Sequence, residues 1–136
     1  MKVFLDTNVL VSAFAARGLC ADLYESMMLG HELITGRNVL RELAVALHEK
    51  IKLDRERCDE RVRLVSDQAA QIVELPNQVE CDADADDLLV LGEAVAGAAE
   101  IFVTGDAELL KLKRIGAMRI VTPRQFWETL KSEQGK

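Results

Sequence analysis

Asp6 directly follows the apolar run Val3-Phe4-Leu5, and Asp106 follows Ile101-Phe102-Val103-Thr104 through the single residue Gly105. A carboxylate that ends a strongly apolar strand is costly to bury as a lone charge, so something cationic is expected to meet it. Asp84, Asp86 and Asp87 crowd the start of another apolar segment, and Glu42 sits in the first turns of a predicted helix. Acids drawn from such separated stretches, with no lysine or arginine partner expected in reach, repel one another and are kept ionised by hard cations such as Mg²⁺ or Mn²⁺. Oxygen-only ligation disfavours zinc. Two such ions about 4 Å apart activate water and stabilise the leaving oxygen in phosphodiester hydrolysis, and this residue set can meet those demands.

Taken singly, each acid has a plainer role. Aspartate is favoured at helix starts as a cap and by the helix dipole, and for Asp84 the cap is the expected role. On pattern alone Glu42 reads as a solvated helix residue, well off the stripe of Leu43 and Leu47. Strand-end position is what shifts the balance for Asp6 and Asp106. Other ligand chemistry is thin: His31 and His48 match no ligand motif, and Cys20, Cys58 and Cys81 are widely spaced thiols in no CxxC arrangement. A net charge of −6 excludes a protein that coats phosphates with a basic surface. It remains compatible with a nuclease whose bound cations reverse the local sign. Arg37 and Arg41 lie near Glu42 in sequence and are expected as solvated surface residues, with contact to a substrate phosphate as the alternative.

The elements that must position these acids alternate. Residues 2–5 read as a buried strand, with Thr7 or Asn8 capping a helix that carries Val9, Leu10, Ala13 and Phe14. A second helix runs from about Leu19 to Leu29. His31 to Thr35 is a strand, and a helix from about Asn38 to Lys50 presents Val39, Leu40, Leu43, Ala44 and Leu47. An arginine-rich helix from about Asp54 to Ala70 precedes a strand at 72–75 that stops at Pro76. Helix from about Asp84 to Ala96, strand at 101–104, short helix after Asp106, strand at 119–121 and a last helix opened by Thr122-Pro123 complete the chain. Strands alternating with helices predict a parallel sheet covered on both faces, with ligands at the carboxyl ends of its strands.

With 136 residues, 49% of them apolar and 29% charged, the chain is expected to form one domain over 1–131 followed by a short polar tail at 132–136. No apolar stretch reaches the roughly 18 residues of a membrane span, and the N-terminus runs straight into Asp6 without a secretory signal, which predicts a cytoplasmic protein with no membrane contact.

Val3-Phe4-Leu5-Asp6-Thr7-Asn8-Val9-Leu10, Arg41-Glu42-Leu43, Asp84-Ala85-Asp86-Asp87 and Val103-Thr104-Gly105-Asp106 occur in the order and spacing of a PIN domain, and nearly the whole chain resembles that family. With Thr122-Pro123-Arg124-Gln125-Phe126, it is most similar to the stand-alone bacterial or archaeal PIN ribonucleases of toxin-antitoxin pairs, the VapC-like toxins. The resemblance implies a three-layer α/β/α sandwich with a mainly parallel central sheet of four to five strands. It implies a metal-dependent endoribonuclease in which Asp6, Glu42, Asp87 and Asp106 are catalytic and hold Mg²⁺ or Mn²⁺, supported by Asn8 and Thr104. Asp86 is one position from Asp87 and is the alternative ligand. Ala85 stands where many relatives have proline, and Gly92 interrupts the helix that follows, so the helix start is open. The implied partners are an RNA substrate, a small antitoxin protein and further copies of the chain in a homodimer or higher oligomer. Leu19, Leu23, Met27 and Met28 could form a groove for such a partner, although a core role is the stronger expectation. Two rivals stand beside this reading. A metal-dependent phosphatase of another α/β family would carry Asp-x-Asp after its first strand, where this chain has Asn8, and a non-catalytic interaction module would have no need of four intact acid blocks.

Overall fold

Val3, Phe4 and Leu5 are each at most 1% exposed, which a strand achieves only when helices cover both faces of its sheet. In the computed structural model, which describes residues 1–134, these residues belong to β1 (Lys2–Leu5) at the centre of a sheet. The chain continues through α1 (Thr7–Ala15), α2 (Leu19–Met27), β2 (Glu32–Gly36), α3 (Arg37–Ile51), α4 (Arg55–Gln68) and β3 (Gln71–Val73). After a polar connection come α5 (Ala85–Ala96), β4 (Ile101–Val103), α6 (Ala107–Leu110), β5 (Arg114–Ile115), β6 (Met118–Val121) and α7 (Pro123–Gln134). Of the tail expected at 132–136, residues 135 and 136 lie outside the described residues.

The strand order is β3-β2-β1-β4-β6-β5. All neighbouring pairs are parallel except the hairpin of β5 with β6, which turns through Gly116-Ala117. The sheet is therefore the expected mainly parallel one but has six strands rather than four to five. The extra strand, β5, is two residues long and too short to leave a periodic pattern in the sequence.

Phe4 lies opposite Phe102 in the β1–β4 register, and their rings stack with centroids 5.4 Å apart. Leu23 and Met27 of α2 are fully buried, so that face of the helix belongs to the core rather than to an open groove. Helix α5 runs unbroken through Gly92. A Cβ there would stand 2.2 Å from the carbonyl oxygen of Asn77, so the glycine admits the chain of Pro76-Asn77 against the helix instead of interrupting it. Among the described residues no helix is long and apolar enough to cross a membrane.

The chain leaves β1 towards β2 and β3 on one side, then returns through α5 to β4 on the other. The order reverses between β1 and β4, and at such a switch point the loops diverge and leave a crevice beyond the carboxyl ends of the strands.

Candidate active site

The residues just past the ends of β1 and β4 form the floor of the crevice. The backbone N–H of Asp6 donates to the Val103 carbonyl at 3.0 Å, carrying the strand pairing one residue past β1. Asp6 itself is the N-cap of α1, so the helix begins at Thr7 and the cap falls one or two residues earlier than Thr7 or Asn8. Both carboxylate oxygens are held: Oδ1 accepts from the Thr7 N–H at 2.8 Å and Oδ2 from the Thr104 hydroxyl at 2.7 Å. Thr104, completely buried, also accepts from the Asp106 N–H at 3.0 Å. One hydroxyl thus ties the acid after β1 to the acid after β4.

Asp106 caps α6, its Oδ1 accepting from the N–H groups of Glu108 and Leu109 at 2.8 and 3.3 Å. Asp84 is the cap expected of it, accepting from the Asp87 N–H at 2.9 Å. That fixes the start of α5 at Ala85 and turns Asp86 and Asp87, in its first turn, towards the crevice. Glu42 comes from α3, where the Thr7 hydroxyl donates to its Oε1 at 2.9 Å. That hydrogen bond brings Glu42 into the site from a helix face that its sequence pattern assigned to solvent.

Asp6, Glu42, Asp84, Asp86, Asp87 and Asp106 all line one cleft of about 290 Å³, together with Thr7, Asn8, Ala46 and Lys50. A shallower groove of about 390 Å³ adjoins it along α3, shares Glu42, Ala46, Lys50 and Asp86, and carries the exposed Val45 and Leu89. The electrostatics of the cleft are those of crowded acids. Asp87 is pushed up to about 6, first by burial and then by the charges of Asp84, Asp106, Asp6 and Glu42. Burial also raises Asp6, opposed by the Thr104 and Thr7 donors, with Asp106 raising it further and Lys50 lowering it. Glu42 is raised by partial burial against the Thr7 hydrogen bond, and by Asp6, Asp86 and Glu93.

Three residues at or behind the site went unassigned in the sequence. Lys50 contradicts the expectation that no cation would be in reach. It follows Glu42 by eight positions, two helical turns along the same face, and that spacing was the available signal. Thr7 was considered only as a cap. Glu93, on α5, is wholly buried and accepts from the Asn38 N–H at 2.7 Å, the Asn38 amide at 3.2 Å and the Val39 N–H at 3.4 Å. It supplies the N-terminus of α3 with the cap that Gly36 lacks, and a Cβ at 36 would stand 2.1 Å from the Glu93 Cδ, so a larger residue there would have to displace the capping carboxylate. An acid set among Val90, Leu91 and Ala94 was its trace in the sequence. Arg37 pairs with Glu74 on the surface, its guanidinium Nη2 2.9 Å from Oε1.

Among the described residues no three or more His, Cys, Asp or Glu side chains are drawn together at metal-ligand spacing. The donor set still fits a hard divalent cation. It is all oxygen, its acids raise one another's proton affinity, and no described carboxylate of the cleft is neutralised by an ion pair.

A family model described as PIN domain matches residues 2–108. Among solved structures, the chain is similar in fold to a chain of the crystal structure of VapBC2 from Rickettsia felis bound to a DNA fragment from their promoter. The TM-score is 0.65 with 18% identity over 90% of this chain and 98% of that one. No curated protein matches.

Proposed function

The chain belongs to the PIN domain family, whose members are generally nucleases that use divalent metal ions, and on that premise we propose that it is a Mg²⁺- or Mn²⁺-dependent endoribonuclease acting as the toxin of a toxin-antitoxin pair. The observation that carries the catalytic part is the convergence of acids from four separated segments on one cleft at the carboxyl ends of β1 and β4.

In this reading Asp6, Asp87, Asp106 and Glu42 hold one or two cations, with Asp86 beside them and Asn8 and Thr104 as polar supports. The bound cations supply a charge that offsets the phosphodiester and its leaving oxygen. The chain's own groups supply the order. Thr104 and Thr7 immobilise both oxygens of Asp6, so its orientation does not have to be selected when substrate arrives. Thr7 holds Glu42 by Oε1 and leaves Oε2 without a described donor, so Oε2 can orient an attacking water and accept its proton. No side chain need form a covalent intermediate.

The toxin role rests on the resemblance of the four acid blocks and of Thr122–Phe126 to stand-alone PIN toxins. It brings with it a small antitoxin partner, assembly as a homodimer or higher oligomer, and action in the cytoplasm. The decisive test is cleavage of single-stranded RNA by the purified protein in Mn²⁺, in Mg²⁺ and in chelator, beside Asp6→Asn. Metal-dependent cleavage that falls in Asp6→Asn by at least the roughly 100-fold seen when a supporting partner of a metal site is lost is the expected result. Full activity in chelator or in Asp6→Asn would remove the reading. Failure of the wild-type protein to bind Mn²⁺ in calorimetry would favour a non-catalytic module.

A further inference from the structure

Six carboxylates line the cleft that an anionic phosphodiester has to enter. Cations held by the acids answer the charge at the centre. They leave open how the substrate crosses a rim of like charge, for repulsion between charges in a partly dry cleft is several times what it is in water. Lys50 stands at that rim. Glu42, Ala46 and Lys50 follow one another at i, i+4 and i+8 on α3, forming one wall of the cleft, and the small Ala46 between the acid and the base leaves the wall open.

The placement of the ammonium group is informative. A lysine whose role was to neutralise the acids would bond to one of them. Lys50 Nζ instead donates to the Asn8 side-chain amide at 2.8 Å, and among the described residues no carboxylate lies within ion-pairing distance of it. A neutral acceptor fixes the group close enough for Asp6 to feel its charge but without an ion pair, and of its three N–H donors two have no partner among the described residues. A plainer role exists, since a cation in the last turn of a helix is favoured by the dipole. That role accounts for a lysine near the end of α3 and not for its tether to Asn8, which stands 42 positions earlier in the chain, on α1.

We propose that Lys50 is a further catalytic residue, its ammonium donating to a non-bridging oxygen of the RNA phosphate that is cleaved, with Asn8 holding it in place. This rests on the nuclease reading above and names the group that receives the substrate. Asn8 thereby gains a role distinct from ligation: it positions Lys50. Lys50 is also a competitor of the divalent ions, because a positive charge at the rim weakens the field that draws them in. Its removal should thus lower the cleavage rate without weakening metal binding, a split that loss of a structural contact would not give.

The test compares wild type with Lys50→Met and Lys50→Arg, each first checked for an unchanged thermal transition, which an exposed lysine allows. On a short single-stranded RNA in saturating Mn²⁺, kcat/KM of Lys50→Met should fall about 10- to 100-fold, as expected for a lost charge-assisted hydrogen bond. Lys50→Arg should recover part of the loss. The dependence of the rate on salt should weaken in Lys50→Met by about one phosphate contact. In calorimetry with Mn²⁺ and no RNA, Lys50→Met should bind the metal as tightly as wild type or more tightly. Undiminished cleavage by Lys50→Met overturns the proposal, as does a loss of Mn²⁺ affinity that matches the loss of rate. Either result leaves the nuclease reading intact, whereas that reading fails, and this one with it, if the wild-type protein neither binds Mn²⁺ nor cleaves RNA.

Discussion

Replacing Asp87 with asparagine should make the metal-free protein more stable while destroying its metal response. Asp87 is held at about 6 against an ordinary 3.8, by burial first and by Asp84, Asp106, Asp6 and Glu42 after it. The folded state therefore binds a proton more readily than the unfolded chain, and an ionised Asp87 is a burden above pH 6. As the pH falls from 6 towards 4 the group protonates in the folded state and the burden is lifted. The gap corresponds to about 3 kcal/mol if nothing screened it. Asp87 is only partly buried, so solvent reduces this to about 1 kcal/mol. For a domain of this size that raises the melting temperature by about 4 °C. Differential scanning fluorimetry or calorimetry in chelator at pH 7.5 and at pH 5 measures it directly. Asp87→Asn should melt higher than wild type at pH 7.5, by a margin that shrinks at pH 5, and Mn²⁺ should stabilise wild type but not the variant. If Asp87→Asn melts at or below wild type at pH 7.5, the mutual repulsion argued for the cleft is not there.

Gly36→Ala should cost about 3 kcal/mol, combining an overpacked site with the loss of the Glu93 cap on α3, and circular dichroism melts will show whether the transition falls by about 10 °C. Thr104→Val removes the hydroxyl between Asp6 and Asp106 and should lower stability by about 1–3 kcal/mol and Mn²⁺ affinity by about 10- to 100-fold, with chemical denaturation and calorimetry as the readouts. Phe102→Ala opens the centre of the sheet beside Phe4 and should cost about 3–5 kcal/mol in urea denaturation, without a selective effect on metal binding in the fraction that stays folded.

Whatever depends on near neighbours could be read in the sequence. An apolar run ending in an acid places Asp6 and Asp106 at strand ends, and alternation of strands and helices sends both to one edge. Asp84 announces itself as a cap because capping is decided within three residues. Glu42 is the instructive case. Its position on α3 relative to Leu43 and Leu47 pointed outward, and only the angle at which α3 crosses α1, fixed by tertiary packing, brings it to Thr7. Glu93 was obscured by the same limit, for an acid in an apolar stripe gives no sign of which helix terminus it will cap. The two residues of β5 hydrogen-bond only because β6 returns beside them. Lys50 lay on a predicted helix face, and what converts it from surface charge to cleft wall is the approach of Asn8 from another element.

The central strand β1 precedes in the chain both of the strands that pair with it. Pairing Val3 with Ile101 and Leu5 with Val103 requires a loop of nearly a hundred residues to close, the kind of distant contact that makes folding slow. A nascent chain can assemble β1, β2 and β3 with their helices, but Asp106 cannot join Asp6 until β4 has left the ribosome. Until β4 pairs with β1 the chain therefore has no complete acid cluster, since only that pairing sets the carboxylate after β4 beside the one after β1.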